Sequence, residues 1–230
     1  MVIEIGPGRG ALTEALLERA KRVIAIEVDP VLVHYLRQKF LVAIEAGQLL
    51  LIEGDILKAD LMAAGGGQRA AVAGNLPYYI TSPILERVLQ LKATWSRAVF
   101  MMQAEVAARV AAAPGSRDFG YLSVLVQCQS HVEPLFDVPR DAFRPPPKVE
   151  SAVIRLTPRD EQNEFGVDDL PAFLAFARAC FRQKRKTLRN NLAPMFGEKI
   201  EGLKEARLRA EQLSVAEIAE LFHKLRALPE

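Results

Sequence analysis

The stretch VIEIGPGRGALTEALLERAKRVIAIEVD runs from Val2 to Asp29 and decides the fold. VIEI is a short apolar run ended by glycine, as in a buried strand. Gly6, Gly8 and Gly10 follow at once, and glycines let a backbone turn tightly and approach a ligand closely. ALTEALLERAKR then has helical period, with Leu12, Leu16 and Leu17 expected on one face. VIAIEVD is a second strand. Strand, glycine loop, helix and strand in 28 residues predict one unit of a parallel α/β sheet.

The same alternation continues. PVLVHYLRQKFLVAIEAG is expected to be one helix, opened by Pro30 and stopped by Gly47. LLLIEGD is a third strand, GGGQ a surface loop, RAAVAGNLPYY a fourth strand and SRAVFMMQ a fifth. AEVAARVAAA and FGYLSVLVQCQ have helical character. HVEPLFDV and SAVIRLTP read as two strands joined by the proline-rich FRPPPKVE, a hairpin-like finish to the sheet. Beyond Thr157 no strand is evident. DLPAFLAFARACFRQKRKTLRNNL and SVAEIAELFHKLRAL have helical period. The expected division is a sheet domain over 1–156 and a small all-helical domain over 157–230, with the boundary near TPRDEQNEFG.

Composition constrains function only loosely. The chain has 230 residues, half of them hydrophobic, and a net charge of +2. A nucleic-acid signal must therefore come from local clustering. Cys128 and Cys180 lie far apart in apolar surroundings and read as free thiols, with neither disulfide nor metal spacing. His34, His131 and His223 lack partner spacing and read as structural or surface residues. Met101 and Met102 read as packing at the end of a central strand. No signal peptide and no bilayer-length apolar run is evident, so a cytoplasmic protein without membrane association is expected.

Three strand ends carry candidate ligand groups. The glycine loop alone also fits an ordinary tight turn. It is not G-x-G-x-x-G, and no Lys-Ser/Thr follows it, which argues against dinucleotide and triphosphate sites. Glu27 ends the second strand, about twenty residues on, where a carboxylate can accept from both hydroxyls of a ribose. Asp55 ends the third strand and can accept from an adenine amino group. Two carboxylates and no phosphate cradle suit an adenosine-bearing ligand without phosphates, such as S-adenosylmethionine.

The fourth strand ends in Asn75-Leu76-Pro77-Tyr78. An asparagine amide oxygen accepts from an amino group. Pro77 fixes the turn and is expected to offer its carbonyl. Tyr78 offers a flat face to a base. An adenine amine is a poor nucleophile because its lone pair is delocalised. Two acceptors holding its hydrogens favour a pyramidal nitrogen aimed at a methyl donor, catalysis by position and electrostatics.

EIGPGRGALT, AIEVD, GDIL, NLPYYITSPIL, FRPPPKVESAVIRL and FRQKRKTLRNNL, in that order, cover nearly the whole chain. In them the sequence resembles the ribosomal RNA adenine N6,N6-dimethyltransferases of the branch acting on small-subunit (16S) rRNA. The resemblance implies a class I, Rossmann-like methyltransferase sheet with a helical RNA-binding appendage, S-adenosylmethionine as methyl donor, and two adjacent adenines each methylated twice. The implied partner is rRNA in an immature 30S particle, approached by a monomer. Glu4, Gly6, Gly8 and Gly10 would flank the methionine side of the cofactor, with Glu27 at its ribose and Asp55 and Ile56 at its adenine. Asn75, Leu76, Pro77 and Tyr78 would hold the target base, Asn75 also bordering the cofactor. Phe143 would cover the base's other face.

Rival readings are a large-subunit methylase of the drug-resistance type, a DNA adenine methylase and a catalytically weakened assembly factor. Leu76, where DNA methylases have proline, disfavours the second. The family normally carries a further segment, with a Gln-Asn-Phe-Leu-like motif, ahead of EIGPG. This chain opens without it, and the expectation is a folded domain with weakened cofactor affinity.

Between Asp169 and Glu198 there is no acidic residue, while Arg178, Arg182, Lys184, Arg185, Lys186 and Arg189 cluster. Phe173, Phe176, Cys180 and Leu188 can face a core and leave these cations outward. Unopposed cations favour phosphate binding. Arg109, Arg144 and Lys148 are expected to extend the patch.

Overall fold

The computed structural model describes residues 1–159 and 164–227. Part of the expected boundary stretch, 160–163, lies outside the described residues. The first half alternates as expected. It runs β1 (Val2–Ile5), α1 (Ala11–Leu17), β2 (Val23–Glu27), α2 (Pro30–Lys39), α3 (Leu41–Glu45), β3 (Leu49–Glu53), α4 (Leu61–Ala64), β4 (Ala70–Asn75), α5 (Thr81–Gln90) and β5 (Trp95–Gln103). There follow α6 (Ala104–Ala111), α7 (Tyr121–Gln127), β6 (Ser130–Val138), β7 (Ser151–Pro158), α8 (Leu170–Cys180), α9 (Leu188–Phe196) and α10 (Val215–Ala227).

The seven strands form one sheet in the order β3-β2-β1-β4-β5-β7-β6. β1 pairs in parallel with β2 and β4, β2 with β3, and β4 with β5. β7 runs antiparallel to β5, and β6 lies at the edge. The strand order reverses between β1 and β4. At such a point two connections leave in opposite directions and open a crevice beyond the carboxyl ends of the strands. β2 is buried at all five positions, as its unbroken apolar run requires of a central parallel strand.

Local chemistry sets the element ends. Asp29 caps α2 by accepting the Val31 N–H at 2.8 Å, with Pro30 in the first turn. The single helix expected over 30–47 is two. They meet at Phe40, whose backbone leaves helical geometry as its ring joins Val23, Ala25, Leu36 and Leu49 in the core. In α1 the fully buried residue is Thr13, whereas Leu12 is 38% exposed, so the expected leucine face is rotated. β4 stops at Asn75 instead of continuing through the tyrosines. Leu76 still donates to the Met101 carbonyl at 2.9 Å, but Pro77 has no N–H to extend the ladder.

The chain divides into two compact units, Met1–Ala107 with His131–Pro158, and Ala108–Ser130 with Arg159–Glu230. The second unit thus takes in segment 108–130, which a contiguous division at 156/157 leaves with the sheet. Its apolar residues are the reason. Phe119 and Val124 are buried with Phe173, Phe176, Cys180, Leu188, Leu192 and Phe222 in one core. Phe222 packs against Phe173 and Phe176 with ring centroids 5.8 and 5.5 Å apart.

The helix expected through FRQKRKTLRNNL is interrupted. Residues 181–187 form a turn between α8 and α9. Asn191, almost fully buried, holds it closed. Its amide donates to the carbonyls of Cys180 (2.8 Å) and Gln183 (3.2 Å), and its oxygen accepts the Gln183 N–H at 3.1 Å. Those bonds satisfy groups that the end of α8 leaves open. Both cysteines are free thiols, and burial pushes Cys180 up to about 12. No helix among the described residues is long and apolar enough to cross a membrane.

Candidate active site

The glycine loop leaves β1 at the switch point. Gly6, Gly8 and Gly10 have φ of 66°, 58° and 80°, a region side chains avoid. At Gly10 space forbids a side chain as well: a Cβ there would sit 2.5 Å from the Phe40 ring. The loop is tied to the next strand through Glu27, which is buried at the end of β2. Its Oε2 accepts the Gly8 N–H at 3.1 Å, and its Oε1 accepts those of Val28 (2.9 Å) and Asp29 (3.1 Å). Four lone-pair directions minus three leave one outward acceptor.

Glu4 lies inside β1, 1% exposed, and accepts the Thr13 hydroxyl at 2.7 Å. Burial raises its pKa above the ordinary 4.5. The Thr13 bond opposes the shift and the charge of Glu27 adds to it. Asp55 follows β3 and accepts the Leu57 N–H at 2.9 Å, an Asx turn that engages one carboxylate oxygen. Ile56 beside it is buried.

A cavity of about 310 Å³ opens at these strand ends, and Gly6, Gly8, Glu27, Asp55, Ile56 and Pro77 all line it. Glu4, Gly10 and Asn75 do not. Val28 and Tyr79, which sequence reasoning left without a role, also line it, although they are 63% and 83% exposed. The second aromatic of Pro-Tyr-Tyr is the one signal that could have singled out Tyr79. Exposed apolar side chains around a cavity suit a ligand that covers them.

The turn after β4 faces the same edge. Gly74 makes it possible, because a Cβ there would lie 2.8 Å from the Ile5 carbonyl oxygen on the neighbouring strand. Asn75 is exposed, and its amide makes no hydrogen bond among the described residues. Leu76 is fully buried. The Pro77 carbonyl, expected to face a substrate, accepts the Ile80 N–H (3.1 Å) and the Thr81 hydroxyl (3.0 Å). Both its lone pairs are thereby engaged. Tyr78 is half-buried, and its hydroxyl meets the Ser151 Oγ at 2.6 Å. Phe143, also half-buried, lies on the loop between β6 and β7. That loop ends at Glu150, whose carbonyl accepts the Ala104 N–H at 3.0 Å and whose carboxylate accepts the Arg140 N–H at 2.7 Å.

The basic residues divide between the units. Arg144 and Lys148 lie exposed on the loop of Phe143, in the sheet unit. Arg109, in α6, belongs to the helical unit, as do Arg182, Lys184, Arg185, Lys186 and Arg189, all exposed. They are not equivalent. Arg189 grips Glu201 through two nitrogens at 3.0 and 2.7 Å. Lys184 donates to the Arg117 carbonyl. Arg178 stacks on Tyr121, 4.4 Å from the ring centroid. Arg182, Arg185 and Lys186, on the turn that Asn191 closes, point their charge to solvent.

Comparison with known proteins bears on this geometry. A family described as "Ribosomal RNA adenine dimethylase" matches residues 1–227. A protein of Acidobacterium capsulatum named "Ribosomal RNA small subunit methyltransferase A" is 47% identical over 97% of this chain and 81% of its own length. One of the same name from Chlorobaculum parvum is 45% identical over 98% and 79%. Among solved structures, a dimethyladenosine transferase from Plasmodium falciparum superposes with a TM-score of 0.75. It has 26% identity and covers 97% of this chain and 87% of its own. The 23S rRNA methyltransferase ErmE gives 0.66 at 27% identity, over 98% and 90%.

Proposed function

The chain belongs to the ribosomal RNA adenine dimethylase family, and from that premise we propose that it dimethylates N6 of two adjacent adenines in 16S rRNA. The donor in this reading is S-adenosylmethionine and the substrate an immature 30S particle. The observation that carries the reading is the neighbourhood of β1 and β4. The strand with the glycine loop and the strand with Asn75 pair side by side, Ile5 opposite Gly74, so donor and acceptor sites share one sheet edge.

The cavity residues fit the cofactor. Gly6 and Gly8 have open space where a side chain would stand, Glu27 keeps one outward acceptor for a ribose hydroxyl, and Asp55 keeps one carboxylate oxygen for an adenine amine. When bound, S-adenosylmethionine supplies an electrophilic methyl on a cationic sulfur. The buried carboxyl of Glu4 lies behind the loop, where its negative form favours a cation.

On the acceptor side, Asn75 Oδ1 takes one N6 hydrogen. Because the Pro77 carbonyl is occupied, the second acceptor in this reading is the Leu76 carbonyl. Tyr78 stacks on the target base and Phe143 covers its other face. With both hydrogens held by Asn75 and the Leu76 carbonyl, the N6 lone pair would turn out of the ring toward the methyl group that the donor would supply, its S–C bond giving way to the new N–C bond. The amine then sheds a proton to water. Repeating the step on the monomethylated amine needs only room beside Tyr78. The helical unit docks on rRNA phosphates through the turn at 182–186, and the protein acts as a monomer in the cytoplasm.

The test is methyl transfer to undermethylated 30S subunits, with the modified nucleotides mapped by primer extension. Dimethylation of two adjacent 16S adenines is expected, and Asn75→Ala should lower the rate by roughly a hundredfold or more. Modification confined to 23S rRNA would replace this reading with the large-subunit one. Binding without transfer would leave an assembly factor.

A further inference from the structure

Ser151 has no role in the reading above, yet it occupies a singular position. It is the first residue of β7 and is fully buried. The other two fully buried serines bond nearby backbone: Ser123 donates to the Arg109 carbonyl and Ser130 to that of Val126. Ser151 instead meets the Tyr78 hydroxyl, 73 residues away, at 2.6 Å. The register shows what this spans. Asn75 is opposite Met101 on β5, and Gln103 on β5 is opposite Ser151. The turn after β4 therefore passes the end of β5 and is pinned on the strand beyond.

The Tyr78 ring is thus held at both ends. At its backbone, the turn is closed by the two donors on the Pro77 carbonyl. At its tip, the hydroxyl is fixed by Ser151. A tyrosine side chain has two main torsions, so anchoring both ends removes most freedom of the ring plane. Ser151 also follows Glu150, whose two hydrogen bonds, one through its carbonyl and one through its carboxylate, close the loop bearing Phe143. One residue thereby sets the Tyr78 face and the root of the Phe143 loop against the same strand.

We propose that Ser151 is a positioning residue for the target base, acting through the Tyr78 hydroxyl. The inference rests on reading Tyr78 as the stacking face. Its consequence is sharpest at the second transfer. After one methylation the N6 nitrogen has one hydrogen fewer to offer Asn75 and the backbone acceptor, so alignment depends more on the ring. A loosened ring lets monomethyladenine accumulate.

The experiment is a double-mutant cycle with Ser151→Ala and Tyr78→Phe, read on undermethylated 30S subunits. Each single variant is expected to lower kcat roughly tenfold, with KM for the subunit changed less than about twofold. Each should raise the ratio of monomethylated to dimethylated product. The double variant should lose no more than either single, because both remove one bond. Ser151→Thr, which keeps the hydroxyl, should restore most of the dimethyl product. Tyr78→Phe deletes only a hydroxyl from a half-buried ring, so it reports even if Ser151→Ala folds poorly. Losses that multiply independently, or a wild-type product ratio in Tyr78→Phe, would overturn the proposal. A wild-type chain that transfers no methyl group would instead sink the function on which it rests.

Discussion

At the scale of single residues, the site spends stability on charge. Glu4 is a carboxyl walled into a central strand, and its pKa lies above the ordinary 4.5 because burial disfavours the anion. The folded state therefore holds the proton more tightly than the unfolded chain. Its contribution to stability is fully present below about pH 4.5 and is lost as pH rises through the higher folded value. Glu4→Gln keeps the shape and an acceptor for Thr13 but cannot ionise. Urea melts across pH 4 to 8 should show the variant losing less stability than the wild type as pH rises, while its affinity for S-adenosylmethionine by calorimetry falls. Parallel profiles for the two proteins would refute the assignment. The glycine positions and the carboxylates were legible in the sequence, since few residues tolerate positive φ and few carboxylates end consecutive strands. The occupied Pro77 carbonyl was not. Its engagement depends on Ile80 and Thr81 folding back, which no spacing rule reveals.

At the scale of elements, the basic segment shows what periodicity misses. Its apolar residues do repeat at helical spacing, and Phe173, Phe176, Cys180 and Leu188 are all buried. The helix nevertheless stops after Cys180, because Asn191 takes over its terminal hydrogen bonds. Arg182, Lys184, Arg185 and Lys186 consequently sit on a turn, where Arg185 and Lys186 have no ion-pair partner among the described residues, while Arg189, in α9, is matched by Glu201. These cations should therefore contribute unequally to RNA affinity. Reversing Arg185 and Lys186 to Glu is expected to weaken binding to rRNA fragments and to shallow the dependence of log K on log salt by about two. Reversing Arg189 should do less, since its charge is already matched. Filter-binding titrations at several salt concentrations would test this, and equal effects at both places would contradict it.

At the scale of the whole molecule, two units with separate cores follow from where the large apolar side chains lie. The sheet unit buries Ile3, Ile24, Phe100 and Trp95, whereas the helical unit gathers seven phenylalanines and their neighbours around α8 and α10. A ligand of the sheet unit stabilises the states in which its site is folded. Adding S-adenosylmethionine should slow amide hydrogen exchange at the ends of β1 and β2 and through residues 74–79, with much less change in α8–α10. Uniform protection of both units, or none, would count against a cofactor site at the switch point.

The sequence by itself determined the α/β alternation, the parallel sheet with its strand-end glycines and carboxylates, and the family. Those depend on local backbone preference and on the alternation of apolar runs, which a linear chain displays directly. Only the tertiary structure decided that segment 108–130 joins the helical core, that the cations stand on a turn and that Tyr78 is pinned by Ser151. The physical reason is sequence distance. Each of these rests on contacts between residues that become neighbours in space only when the chain folds back on itself, and a buried hydroxyl finds its partner 73 residues away without leaving any period in the chain.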